Sequence, residues 1–192
     1  AMEKGKLPIY IYILILSLFT LLFVIKQNYE FLLYTFVLGI FIFAIAKTDK
    51  IFNYSNIAKW GLSLWLFLHL SGGSFYIGQT KLYDLVLIKI IGEPYNILKY
   101  DQLIHFYCYV VITLLFFPII LSFCKKNPNK FLLGLTLTLT GLGIGAINEI
   151  IEFSTVALFG ATGVGNYTNN ALDLVFNLLG AFSATIISLR KV

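Results

Sequence analysis

Six long apolar runs, separated by charged or Asn- and Gly-rich breaks, constrain this chain more than any other feature. They lie at about Pro8–Ile25, Phe31–Ala46, Ile57–Tyr76, Gln102–Phe123, Phe131–Leu158 and Ala171–Leu189. A helix needs about 20 residues to cross roughly 30 Å of hydrocarbon, and inside the bilayer every backbone polar group must be satisfied within the protein. The runs are apolar on both faces, whereas spanning strands alternate over about 10 residues. The expected fold is an all-α integral membrane protein, a bundle of six transmembrane helices forming a single transmembrane domain over residues 1–192. Composition agrees, since 59% of residues are hydrophobic, 12% are charged and the mean hydropathy is +0.87. A soluble domain carries about 25% charged residues, so this chain lacks the polar surface to face water. High apolar content and two cysteines exclude disordered and disulfide-scaffold classes.

Ala1 and Met2 read as a cloning remnant. Lys4 and Lys6 precede the first run, but no small-residue cleavage site follows Ile25, so it reads as a retained helix rather than a signal peptide. Cys108 and Cys124 lie within or at the end of an apolar run and read as packing residues. With six spans, Lys4, Lys6, Lys47, Lys50, Lys59, Lys125, Lys126, Lys130, Arg190 and Lys191 share one side, and Lys26, Lys81, Lys89 and Lys99 the other. Ten basic residues against four place both termini in the cytoplasm of a multi-pass protein of the cytoplasmic (inner) membrane. The net charge of +5 is then spent on topology and anionic headgroups, with no nucleic-acid partner. The mixed segment Gly78–Tyr100, between the third and fourth helices, is expected to be interfacial or partly re-entrant, lying over the bundle as a lid.

An ionisable group at mid-membrane costs about 2.5–3.5 kcal/mol on insertion scales, which makes each one a functional candidate. Those in or beside the spans are His69, Asp101, His105, Glu149, Glu152 and Asp173, with Asn148, Asn169, Asn170 and Asn177 as supporting polar residues. At about 1.5 Å rise per residue, Glu149 stands roughly 27 Å above Phe131, and His105 lies about 6 Å below the entry of the fourth helix. Four helices thus carry their polar residues in the outer half. Asp101/His105 and Asp173/Asn177 are spaced i, i+4 and Glu149/Glu152 i, i+3, so each pair presents two groups to one neighbour. His69, His105, Glu149, Glu152 and Asp173 are candidate ligands for a divalent Zn, Mn or Fe, while Glu149, Glu152, His105 and Asp101 suit acid/base catalysis.

Structural readings stand beside these. Asp101 reads equally as the N-cap of the fourth helix, Asp173 as a first-turn acid on the sixth, and His69 as a packing residue. Gly141, Gly143 and Gly145 read as helix-packing positions rather than a phosphate cradle, as do Thr136, Thr138 and Thr140. The loop Gly160–Asn170, with Gly160, Gly163 and Gly165, is a tight connection beside Asp173.

Four pieces occur in order: His69-Leu-Ser-Gly72-Gly73-Ser-Phe-Tyr76, Tyr100-Asp101-Gln-Leu-Ile-His105-Phe106, Asn148-Glu149-Ile-Ile-Glu152-Phe153, and the Gly-rich turn leading to Asp173. Together they cover about residues 60–185 and resemble the YjdF-like family of uncharacterised small inner-membrane proteins. The last three also resemble VanZ-like membrane proteins, which pair D-x-x-x-H-F with a later acidic helix and D-x-x-x-N-x-x-G, here Asp173 to Gly180. The resemblance implies a six-helix fold in which these polar residues belong together, and it supplies no reaction. Asn166 and Asn169 depart from a last turn that is richer in acids in the family, implying a differently charged site.

The leading expectation is an outward-facing His/carboxylate site that holds a divalent metal. It would act as a hydrolase or transferase on a lipid or lipid-linked substrate, with membrane lipids as partners. The alternatives are an ion-coupled transporter using the same carboxylates, against which no inverted repeat is visible, and a non-enzymatic module with a structural polar network. The sequence assigns no oligomeric state.

Overall fold

A computed structural model describes residues 7–160 and 165–192. Ala1, Met2, Lys4, Lys6 and Gly163 lie outside the described residues. The chain runs α1 (Leu7–Ile25), α2 (Tyr29–Phe52), α3 (Asn56–Ser74), β1 (Tyr76–Ile77), β2 (Thr80–Lys81), a 3-10 turn (Leu82–Asp84), β3 (Val86–Ile91), β4 (Ile97–Lys99), α4 (Tyr100–Ser122), α5 (Lys130–Phe159) and α6 (Tyr167–Leu189). Among the described residues, five helices, α1, α2, α4, α5 and α6, are long and apolar enough to cross a membrane. α3 is not among them, because Asn56, Lys59, Ser63, His69 and Ser71 to Ser74 dilute its hydropathy. Its buried face is wide, running from Ala58 and Leu62 through Trp65, Leu66 and Leu70 to Ser74. Lys59, Ser63, Ser71 and Ser74 of α3 therefore meet protein, whereas Asn56 at its start is exposed.

Helix ends differ from the apolar runs where capping decides. α2 continues past Ala46 through Lys47 to Lys50 and stops where Asn53 turns left-handed (φ 49°), its N–H bonding the Asp49 carbonyl. α6 starts at Tyr167 rather than Ala171, because Asn166 caps it by accepting from the Asn169 N–H at 3.0 Å. Asp173 consequently sits nearly two turns inside α6 and is not a first-turn acid. Lys59 is likewise no loop charge. It is buried in α3 and paired with Asp49 at 3.0 Å, while the Tyr12 hydroxyl donates to the Lys59 carbonyl at 2.6 Å.

The segment between α3 and α4 folds as two antiparallel hairpins, β1 with β2 and β3 with β4, so the chain is not purely helical. The Val- and Ile-rich run Val86–Ile91 favours a strand, and residues at positive φ, Gly78 (62°) and Asn96 (46°), serve the turns. Between the hairpins the 3-10 turn packs on α3 and α4, tied by Leu82 N–H to Phe75 O and Tyr100 N–H to Leu85 O, both 2.9 Å.

The aromatic and aliphatic core lies among α1 to α4, around Tyr12, Phe23, Phe31, Leu66, Leu70 and Leu115. α6 is packed instead through small residues, most extensively against α4 and α5. A Cβ on Gly180 would collide with the Phe106 backbone carbonyl of α4, and one on Gly141 would meet Ala181 and Thr113 at 2.6 Å. Gly145 faces Asn177, and Thr138 donates to Thr185 at 3.1 Å. These are the close helix approaches expected of Gly141, Gly145 and Thr138, whereas a Cβ on Gly143 would meet open space. Gly180→Ala is expected to lower thermal stability in detergent by about 1–3 kcal/mol through overpacking against backbone. Gly143→Ala should leave it unchanged or raise it by up to about 1 kcal/mol.

Candidate functional site

The polar residues gather at one end of the bundle because consecutive helices run in alternating directions. The end of α3 brings His69, the start of α4 brings Asp101 and His105, the latter half of α5 brings Glu149 and Glu152, and the start of α6 brings Asn169, Asp173 and Asn177. Asp173, Asn177 and Gly180 share one buried stripe of α6. Close approach of α6 to α4 at Gly180 thus sets the distance between Asp173 and His105.

His105 is the centre. Its Nε2 lies 3.5 Å from Asp101 Oδ1, and its Nδ1 lies 3.0 Å from Asn177 Oδ1 and 3.7 Å from Glu149 Oε1. An amide oxygen only accepts, so Nδ1 carries a proton, and Nε2 is the nitrogen that faces the Asp101 carboxylate. Among the described residues, two groups have potential ligand atoms all within 4.8 Å of one another, Asp101–His105–Asp173 and His105–Glu149–Glu152. In the first, a cation would take Nε2 in place of a proton. A cation in the second competes with the Nδ1 proton.

Four carboxylates therefore surround one imidazole. At about 4 Å and an effective dielectric of ~20, two like charges repel by roughly 4 kcal/mol, so this cluster needs cations or protons beyond His105. Amide donors offset part of that need. Asn169 Nδ2 donates to Asp173 at 2.6 Å and to Asp101 at 3.2 Å, and Asn148 Nδ2 donates to Glu152 at 2.7 Å. An acid at position 169 could do neither. Among the described residues, both oxygens of buried Glu149 and Oδ1 of fully buried Asp173 have no hydrogen-bond partner. Buried carboxylate oxygens without donors are expensive, and here they flank one histidine.

Asp101 is not the N-cap of α4. That work falls to Gln102, whose buried side chain accepts from the N–H groups of Leu98 (2.7 Å) and Lys99 (3.1 Å), leaving Asp101 free to face His105. Asn170 contributes its backbone N–H to the first turn of α6, at 3.1 Å from Asn166 O, and its side chain bonds none of the cluster residues.

His69 lies outside both ligand groups but lines the same small cavity. Its Nδ1 is 2.6 Å from the Tyr83 hydroxyl, which is also 2.8 Å from the His69 carbonyl. A carbonyl only accepts, so both contacts are satisfied when Tyr83 donates to it and Nδ1–H donates to Tyr83. Nε2 of His69 is then the unprotonated nitrogen. Burial pushes the Tyr83 hydroxyl well above its ordinary value, and Asp101 and Glu152 push the same way, so it remains a donor. The His69 ring stacks on Trp65 with centroids 5.0 Å apart. Gly72 and Gly73 explain their place in the sequence here, since side chains there would collide with the rings of Tyr83 and Phe31.

The cavity holds about 40 Å³, room for a few waters or an ion, and its lining adds Glu30, Tyr34, Lys81 and Asp84 to the cluster residues. Sequence reasoning missed Tyr83, Gln102, Glu30 and Lys81. Gln102 and Glu30 carry no local signal, whereas Lys81 and Tyr83 both fall in the segment expected to cover the bundle.

A family described as predicted membrane protein (DUF2238) matches residues 7–191. The chain belongs to the DUF2238 family. No curated protein and no solved structure matches it. The DUF2238 match takes in every helix and every polar residue of the cluster, so the site belongs to the family's own domain. Within it, Asn169→Ala is expected to lower stability by about 1–3 kcal/mol, because buried Asp173 and half-buried Asp101 lose their shared donor. Asn170→Ala should stay within about 0.5 kcal/mol of the parent in the same thermal unfolding series.

Proposed function

We propose that this DUF2238 protein is a six-span protein of the cytoplasmic membrane whose cluster is a divalent-metal site opening toward the outer leaflet. α3 is the sixth span on this reading, sheltered from lipid by its neighbours. Both termini lie in the cytoplasm, with Lys47, Lys50, Lys125, Lys126 and Lys130 at the inner end and the hairpins outside. The YjdF-like likeness is retained as the narrower assignment, since the Gly72-Gly73 piece that carried it is where the hairpin segment docks.

The observation that carries the proposal is the pair of ligand groups sharing His105, with unpartnered oxygens on Glu149 and Asp173. Asp101, His105 Nε2 and Asp173 would form the primary ligand set, with Asn177 holding the imidazole in its tautomer and Asn169 orienting both carboxylates. Nitrogen and carboxylate donors suit Zn, Mn or Fe. Glu149 and Glu152 would be further ligands or the acid/base pair, and His69 would meet the cation or substrate from across the cavity. Bound there, a divalent ion polarises a carbonyl or phosphoryl oxygen and acidifies a water, which is the chemistry of a hydrolase or transferase on a lipid or lipid-linked substrate.

Inductively coupled plasma mass spectrometry of detergent-purified protein tests this. Near-stoichiometric Zn, Mn or Fe is expected in the parent and in Asn170→Ala, and its loss in His105→Ala and Glu149→Gln. A parent free of metal, and unchanged in stability when those ions are added, would overturn the proposal and leave a packing network or a transporter. Cation-dependent flux into proteoliposomes separates those two.

A further inference from the structure

The small cavity at His105 adjoins a larger cleft of about 730 Å³, since Glu30 and Lys81 line both. The cleft lies among the α1–α2 turn, the end of α3 and the end of α5. Two ammonium groups flank it. Lys81 Nζ sits over the rings of Phe31 and Tyr83, 5.1 Å and 5.9 Å from their centroids, which holds it at the neck between the two spaces. Among the described residues it forms no ion pair within 4.0 Å. Lys26 Nζ is fixed by donating to the Ser74 carbonyl at 2.8 Å, which leaves two of its N–H donors for a ligand. The rim is apolar and exposed, formed by Tyr29, Tyr76 and Phe159.

We infer that this cleft is a phosphate subsite: Lys81 and Lys26 bind the phosphate of an amphiphile whose chains lie along the apolar rim, and the neck directs that phosphate toward His105. The ligand must be anionic at its head to meet two fixed ammonium groups, and apolar behind it to cover the exposed aromatic rim. A phosphate also suits the far side of the neck, where its oxygens would meet a divalent ion held by Asp101, His105 and Asp173. The inference rests on the metal-site reading for the destination of the phosphate, and not for its binding at the lysines. Asp101, His105 and Glu152 line the inner space and both lysines line the cleft, where Glu30 is the one carboxylate among the described lining residues.

Titration of the full chain, in nanodiscs of phosphatidylcholine, with dioctanoyl phosphatidic acid, dioctanoylglycerol and inorganic phosphate tests the subsite. Saturable binding of the phosphatidic acid is expected, with none of the phosphate-free dioctanoylglycerol. Lys81→Gln should weaken binding about tenfold, the loss of one charge-assisted contact, and Lys26→Gln with Lys81→Gln more than that, while Lys81→Arg stays within about threefold. Competition by inorganic phosphate at comparable concentration would support the subsite and assign it to the free ion. A lipid that resists such competition supports it as a headgroup site. Equal binding of dioctanoylglycerol, or unchanged affinity in the double variant, would overturn it. Metal-free His105→Ala protein should still bind phosphatidic acid, whereas a parent that binds it through the lysines but holds no metal counts against the metal reading alone. Metal in the parent with lysine-independent binding counts against the subsite alone.

Discussion

Everything at the functional end of this bundle depends on an electrostatic imbalance in a place where imbalance is costly. Asp101, Glu149, Glu152 and Asp173 surround His105 within a helical bundle of low polarity, and among the described residues the chain meets them with amide donors, while Lys81 on the same cavity wall forms no ion pair with them. The opposite end shows that the chain pairs charge when it needs only a fold. There Lys59 meets Asp49 one to one at 3.0 Å, with the Tyr12 hydroxyl closing on the Lys59 carbonyl. A buried pair of that kind is self-sufficient, whereas four acids around one imidazole are not. The excess is met by protons or by a cation, and the proposed function rests on the cation.

The scaffold that holds the imbalance is built from small residues. Gly180 lets α6 reach the Phe106 carbonyl of α4, Gly141 and Gly145 let α5 reach Ala181 and Asn177, and Gly72 and Gly73 admit the rings of Tyr83 and Phe31. Without a hydrophobic drive between helices in lipid, such approaches supply the packing and also set the ligand separations. Geometry at His105 is therefore inherited from glycine positions one to two turns away. The hairpin segment does for His69 what α6 does for His105, since Tyr83 fixes one imidazole and Asn177 the other.

Much of this was legible in the sequence, and the reasons are local. Apolar runs marked the helices, and the i, i+4 spacing of Asp101 and His105 placed them together, as the 3.5 Å contact shows. What depended on partners distant in sequence was not legible. Nothing near His69 announces Tyr83, fourteen residues on, and nothing near Asp101 announces that Asn169 will bridge it to Asp173. Asp101 looked like a cap because acids favour that position, yet the glutamine beside it reaches back to the N–H groups of Leu98 and Lys99. Asn166 and Asn169 looked like a loss of acidity, whereas one caps α6 and the other donates to two acids. The hairpins escaped because Val86–Ile91 is a short run in which period alone does not separate strand from irregular chain.

The central proposal is that the His105 cluster binds a divalent cation, and the most direct measurement is the unfolding temperature of metal-stripped protein titrated with Zn or Mn. A ligand that binds only the folded state stabilises it by about 2.7 kcal/mol at one hundred times its Kd. The account predicts a saturable rise in the parent that is absent in His105→Ala. It also predicts that Glu149→Gln, which removes one unpartnered carboxylate, melts higher than the parent without metal and gains less from it. A flat titration in the parent, with Glu149→Gln less stable than the parent throughout, would contradict it.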